Sequence, residues 1–330
     1  MNRLYVAESQ YSTTGAMADH RLAVRSLDIA ALVVDLAKRV QAMLDADKVQ
    51  SPAAGGTRRD RILQAMAADL FEHRGTGLIA VGPRQPAEVH AQVHRLNALL
   101  ENAGKTVTYT DEPVAGYTAP CGDLADLAKR MQAGQVKTLV LLGGNPVYDA
   151  PADLEFEQAL AKVGTAIHLS SHENETSQHC QWLLPQTHPF ETWGDCRAQD
   201  GTICVTQPLI ETLLGGKSTL ELLALLLGDK SDSQTLVRRS VDQVAGRTLS
   251  DKEWRKLVHD GFLADSGLKP VSVELKELAA AESKPAAEGE LELVFCRSET
   301  VYDGRFANNG WLQETPHLVS KLTWDNAALV

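Results

Sequence analysis

Apolar residues follow a helical period in some stretches of this chain and form short unbroken runs in others, and the two kinds alternate. Residues 26–44 carry Ile29, Val33, Leu36, Val40 and Met43 at helical spacing, with Ser26 placed as a cap. SPAAGGT at 51–57 reads as a loop. Then come GLIAVG (77–82) as a strand, a helix from Pro86 buried through Val89, Val93, Leu96 and Leu100 up to Gly104, and TVTYT (106–110) as a strand. Asp123 is set to cap a helix with Leu124, Leu127 and Met131 inward and Gly134 as its stop. TLVLL (138–142), a helix over 151–163 with Phe156, Ala159, Leu160 and Val163 on one face, and TAIHL (165–169) complete the run. Strand and helix alternating every thirty or so residues predict an α/β fold, a doubly wound and mostly parallel sheet with right-handed crossovers.

The rhythm changes after Pro208. Ser218 and Glu221 have capping-box spacing in front of LLALLL (222–227), and Gly228 ends that helix. Residues 229–290 are charged and partly helical, with AESKPAAEGE (281–290) the flexible stretch. LELVFCRS (291–298) reads as a strand opening a further unit. The expected division is therefore 1–57, an extended segment and helix; 58–228, the α/β domain; 229–290, a helical linker region; and 291–330, the start of a truncated unit.

Composition narrows the function classes. The 330 residues are 44% hydrophobic and 23% charged, an ordinary globular balance with ample capacity for a core. A net charge of −11, from 43 acidic and 32 basic residues, supplies no basic field to displace counterions, so no nucleic-acid partner is expected. No apolar run approaches the roughly 20 residues of a membrane helix, so no direct span is expected. The amino terminus shows no secretion signal. The five cysteines, at 121, 180, 196, 204 and 296, contain no CxxC and no iron–sulfur spacing. They read as thiols, although Cys196 and Cys204 could flank a hairpin around Asp200–Gly201.

Chemistry concentrates between Thr138 and Pro208. Gly143, Gly144, Asn145 and Pro146 follow a buried strand, where open α/β sheets place ligands against exposed backbone N–H groups. The same residues would be needed simply to make a tight turn. Ser170, His172, Glu173 and Thr176 follow the next strand and read either as ligand contacts or as a hydrogen-bonded surface loop. His172, His179 and Cys180 lack zinc spacing, and His90 and His94, four apart on a helix, read as packed residues. RGTGLIA (74–80) places its glycines before a strand instead of after one, which rejects a nicotinamide fingerprint. Glu191, Trp193, Gly194, Asp195, Arg197 and Asp200 read as a structural polar cluster.

The order LLGGNP, S-x-H-x-x-E-T, LLP, E-T-W-G-D and D-G-T resembles the molybdopterin oxidoreductase superfamily, of the dimethyl sulfoxide reductase type. With MNRLYVAES, TGAMADHRL, NNGWLQETP and KLTWDNAALV, the chain is most similar to the large iron–sulfur/molybdopterin-like subunit of alternative complex III. The resemblance implies a middle-type domain of a membrane-associated, quinol-oxidising complex that is cofactor-free and, alone, inactive. Its implied partners are an iron–sulfur domain, a multihaem cytochrome and quinol-site membrane subunits, which would hold it at the membrane on the periplasmic side. The other implied reading is the nucleotide-binding portion of a catalytic molybdenum bis-pterin oxidoreductase. Gly143, Gly144, Asn145, Pro146, Ser170, His172, Glu173 and Thr176 would then face molybdopterin guanine dinucleotide. No catalytic residue and no metal ligand is expected in this stretch. The turn 143–146 and the loop 170–176 are expected side by side, framing a groove.

Overall fold

The computed structural model describes residues 2–50, 56–112, 124–274, 291–325 and 327–328. The proposed cap Asp123, the linker 281–290 and Cys121 lie outside them. The chain divides into two compact units, residues 1–109 with 270–296, and residues 110–269 with 297–330.

In the first unit, β1 (Tyr5–Glu8) and β2 (His20–Ala23) pair in parallel, joined through the single-turn α1 (Thr13–Ala16). Three longer helices follow: α2 (Ile29–Ala46), α3 (Arg58–Glu72) and α4 (Ala87–Leu99). The stripe predicted from sequence is the buried one: Leu36, Val40 and Met43 of α2 cluster with Leu63, Ala67 and Phe71 of α3 and Leu96 of α4, and Val33 packs with Val89 and Val93 of α4. Thr57 and Asp60 form a reciprocal capping box at the start of α3.

Three expectations fail here. Ser26 does not cap α2 but sits in a 3₁₀ turn whose Ser26 and Leu27 amides donate to the Glu292 carboxylate at 2.7 and 3.1 Å. Residues 291–297 therefore run as a non-strand segment that brings an anion to that helix start. Residues 77–82 and 106–110 are not sheet strands. Both backbone groups of Ile79 pair with one side chain: its N–H donates to Asn97 Oδ1 at 3.1 Å, and Asn97 Nδ2 donates to its carbonyl at 2.8 Å. Asn102 adds a bond to Asn97 Oδ1 at 3.0 Å and accepts from the Gly75 amide at 3.1 Å. Thr106 Oγ1 donates to the Gly77 carbonyl at 2.6 Å. Buried backbone must be paired somewhere, and here two buried asparagines serve in place of a neighbouring strand.

The second unit contains the sheet. After α5 (Leu124–Gln132) come β3 (Thr138–Leu142), the turn helix α6 (Pro146–Asp149), α7 (Phe156–Leu160), β4 (Thr165–Ser170), the turn helix α8 (Glu175–Gln178) and β5 (Trp182–Pro185). The sheet order is β3-β4-β5, all parallel, with Thr138 opposite Thr165 and Ile167 opposite Trp182. This is the α/β fold with a parallel sheet. Leu141 and Ala166 pack under Ala128, Met131, Phe156, Ala159, Leu160 and Val163. The helix expected over 151–163 is broken: Pro151 leads into a 3₁₀ turn, Glu155 takes φ +46°, and only 156–160 is α-helical. Its apolar face is nevertheless the one that was read.

Beyond the sheet, β6 (Gly194–Arg197) and β7 (Ile203–Thr206) form an antiparallel hairpin turning at Asp200–Gly201. Ile203 and Val205 pack with Val237, Val241, Leu249, Trp254 and Leu257. The helices here are α9 (Thr219–Leu226), α10 (Ser233–Ala245), α11 (Asp251–Asp260) and α12 (Gly310–Glu314). Ser218 and Glu221 form the expected capping box, and Gly228 follows the helix at φ +85°.

Candidate functional site

The turn after β3 and the loop after β4 meet at the carboxyl edge of the sheet, as their place after neighbouring strands requires. Gly143 continues the ladder, its N–H donating to the Leu169 carbonyl at 2.8 Å. Gly143 and Gly144 take φ +74° and +77°, two successive left-handed residues that only glycine adopts without strain. Asn145 then reaches across to the loop. Its Oδ1 accepts from the Thr176 N–H at 3.1 Å and the Thr176 hydroxyl at 2.8 Å, and its Nδ2 donates to Glu175 Oε2 at 2.6 Å. That bond and the backbone hold the Glu175 carboxyl below the usual carboxylate range. Thr176 Oγ1 also accepts from Val147 N–H at 3.0 Å, at the first turn after Pro146.

Of the residues singled out from sequence, the structure thus brings together Gly143, Gly144, Asn145, Pro146, Ser170 and Thr176. Ser170 Oγ donates to the His172 carbonyl at 2.7 Å, folding the loop back on itself. His172 and Glu173 are exposed, and His172 Nδ1 pairs with Ser171 Oγ at 2.9 Å. Sequence reasoning chose Glu173 and missed Glu175, although the E-T pair stands in the motif. It also missed His168, fully buried on β4, whose Nδ1 pairs with Ser177 Oγ at 3.0 Å. Burial pushes the His168 imidazole below its ordinary value, while the Gly143 and Gly144 backbone pulls it partly back. Its Nε2 reaches no partner at hydrogen-bond geometry. The segments 143–146 and 170–176 lie side by side and bond to each other.

A cleft of about 310 Å³ opens one strand further along the same edge. Ser171 stands at one side and Gln186, Thr187, His188 and Pro189, following β5, form its base. Thr192, Gly194 and Thr206 bring the base of the β6–β7 hairpin, and Ser218 and Thr219 the start of α9. Gly216 passes so close to β5 that a Cβ there would lie 2.8 Å from the Pro185 carbonyl. This contact seats α9: Lys217 N–H donates to Pro185 O at 3.0 Å, and Thr187 N–H donates to Lys217 O at 3.1 Å. The Thr187 hydroxyl, in a residue only 7% exposed, has no partner. No signal in the sequence marked this cleft beyond its position after an apolar run, because four separate parts of the fold assemble it.

The cleft is neutral and hydroxyl-rich, with no lysine or arginine in its lining. Its volume sits at the lower end of the ~300–1,000 Å³ typical of small-molecule sites. A pterin dinucleotide needs cationic or N–H donors for a diphosphate and a deep enclosure. The side-chain polar groups of the edge cluster bond one another and are not free for a diphosphate. Neither this edge nor the cleft beside it supplies a lysine or arginine for that diphosphate.

The other polar cluster also serves local structure. Glu191 accepts from the His188 N–H at 3.1 Å, Asp195 from the Ser240 hydroxyl at 2.7 Å, and Asp200 from the Thr202 N–H at 2.9 Å. Among the described residues no group of three or more histidine, cysteine or carboxylate side chains could hold a metal ion. No described helix is long and apolar enough to cross a membrane.

No family model matches the chain. It is similar to the menaquinone reductase, molybdopterin-binding-like subunit of Nitratidesulfovibrio vulgaris, with 28% identity over 155 residues. The match covers 38% of this chain and 22% of that protein, so the chain spans about a fifth of the relative's length. That likeness supports kinship with molybdopterin-oxidoreductase-like proteins and goes no finer.

Proposed function

We propose that this chain is a molybdopterin-oxidoreductase-like domain of a multi-subunit, membrane-associated electron-transfer complex working at a quinone/quinol couple. Within that complex it serves as a cofactor-free scaffold. The observation that carries the scaffold reading is the closed edge cluster: Asn145, Thr176 and Glu175 use their polar atoms on each other, where a dinucleotide would require them. The relative is named as a subunit of a menaquinone reductase, which supports membership in a quinone-linked complex. The motif order carries the finer identification with the alternative complex III subunit, in which quinol is oxidised. Its partners there would be an iron–sulfur domain, a multihaem cytochrome and quinol-site membrane subunits on the periplasmic side. Under this reading such partners hold the chain at the membrane; no described helix is long and apolar enough to cross one.

The second reading is the nucleotide-binding portion of a catalytic molybdenum bis-pterin oxidoreductase. The open cleft favours it, with a spare hydroxyl at Thr187 and the start of α9 at its wall. Under that reading Gly143, Gly144, Asn145, Pro146, Ser170, His172, Glu173 and Thr176 would lie along the nucleotide. Calorimetric titration of the chain with a guanine dinucleotide separates the two. Binding no tighter than about 1 mM, on the order of 4 kcal/mol, is expected for the scaffold. Micromolar affinity would transfer the assignment to the molybdenum enzyme.

A further inference from the structure

The β6–β7 hairpin places two cysteines directly opposite each other, Cys196 against Cys204. The kind of pair follows from the bonds around it. Ile203 and Val205 exchange their ladder bonds with the segment on the far side, Leu263 N–H to Ile203 O at 2.8 Å and Val205 N–H to Gly261 O at 3.0 Å. Ala198 N–H donates across the hairpin to Thr202 O at 2.9 Å. Thr202, Cys204 and Thr206 are therefore the residues whose backbone bonds point into the hairpin, and Cys196–Cys204 is a hydrogen-bonded pair. Such pairs hold their Cα atoms about 5.5 Å apart, inside the ~4.4–6.8 Å range that disulfides span.

Side chains alternate across a strand. Ile203 and Val205 face the core, so Cys196 and Cys204 share the opposite face with Gly194 and Thr206, which line the cleft. Cys196 is exposed and Cys204 half-buried, and both are free thiols. Cys180 packs against the apolar core beneath the sheet, and Cys296 belongs to the other unit.

We propose that Cys196 and Cys204 are a redox-modification site, forming a reversible disulfide across the hairpin beside the cleft. The oxidant is a small-molecule or protein disulfide. The exposed Cys196 thiolate attacks one of its sulfurs, giving a mixed disulfide and releasing one thiol. The Cys204 thiolate then attacks Cys196 Sγ, which closes the intrachain bond and releases the second thiol. The pair gives up two protons and two electrons, and the oxidant becomes two thiols. Side chains at a directly opposed pair stand about 4.5–5.5 Å apart at Cβ, whereas a relaxed disulfide brings them to about 3.8 Å. Closing the bond therefore strains the hairpin, and strained bridges are the readily reduced ones. Burial, then the neighbouring Cys204 sulfur and Asp195, raises the Cys196 thiol, so the reaction is run near pH 8.5, about the ordinary thiol value.

The test treats the whole chain with oxidised glutathione, caps remaining thiols with iodoacetamide, and digests with trypsin and chymotrypsin. Trypsin cuts after Arg197, between the two cysteines, and chymotrypsin separates Cys180 from Cys196. The expected product is one linked peptide pair joining Cys196 to Cys204, carrying no glutathione and reopened by dithiothreitol. Cys204→Ser should stop the reaction at a glutathione adduct on Cys196, and Cys196→Ser should abolish the link. Stable glutathione adducts on both cysteines, two thiols still open to iodoacetamide, or a link to Cys180 or Cys296 would each overturn the proposal. The products of the unsubstituted chain are decisive without the variants, so a variant that fails to fold does not obscure the result.

Discussion

Two buried threonines at the carboxyl edge of one sheet face opposite situations. Thr176, fully buried, gives its hydroxyl to Asn145 Oδ1 at 2.8 Å and accepts the Val147 amide at 3.0 Å. Thr187, 7% exposed, has a hydroxyl with no partner, and its segment is held through its backbone N–H instead. The first belongs to a region where polar side chains knit one loop to the next. The second belongs to a region where four parts of the fold leave a gap between them. A polar residue after a strand can therefore complete a fold or line a cavity, and only its partners distinguish the two. Glu191, which accepts the backbone amide of the cleft residue His188, shows the knitting extending to its rim.

The same substitution at both threonines should separate these roles. Thr176→Val keeps the shape but removes the acceptor of the Val147 amide and one of the two donors to Asn145 Oδ1, which keeps the residue-176 N–H. The loss should be about 2–3 kcal/mol in a urea unfolding series, at the upper end of the cost of an unsatisfied buried group. A loss below about 0.5 kcal/mol would mean that the edge cluster does not hold the fold. An intermediate effect is expected at His168. Its charged form is disfavoured in the folded chain, so folded His168 titrates below its ordinary value of 6.5. Between the two values the unfolded chain binds more protons, and stability rises with pH. The contribution is present above about pH 6.5 and is lost as pH falls through the window beneath it. The difference between native and His168→Gln unfolding midpoints across pH 5–8 should show this slope; parallel curves would remove the claim. The smallest effect belongs to Thr187→Val. With no hydrogen bond to lose, it should change stability by less than about 0.5 kcal/mol or raise it slightly. A loss as large as that at Thr176 would erase the contrast.

Much of the architecture was legible because burial obeys periodicity. The stripes on α2 and α4, the pairing of TLVLL with TAIHL, the Ser218–Glu221 capping box and the hairpin around Asp200–Gly201 all follow from local pattern. The misread strands at 77–82 and 106–110 have the right composition but the wrong neighbours. Asn97 and Asn102 satisfy that backbone with side chains, a long-range substitution that an apolar run cannot reveal. β5 was missed because WLLP is short and embedded in turn-forming residues. At the site, Asn145 and Thr176 stood out, while Glu175 rather than Glu173 meets Asn145 because it is the first residue of α8 and Glu173 precedes the helix.

Residue order alone set the strands and intervening helix from Thr138 to Ser170, the glycine turn after β3 and the succession of polar motifs along one sheet edge. These depend on interactions within a few residues and on burial of one face. Long-range packing set the rest: the edge cluster closes on itself, the cleft lies one strand away, and Cys196 meets Cys204 with its backbone bonds pointing into the hairpin. Each of those outcomes depends on groups far apart in the chain competing for the same hydrogen-bond partners, and only the folded backbone sets which group wins.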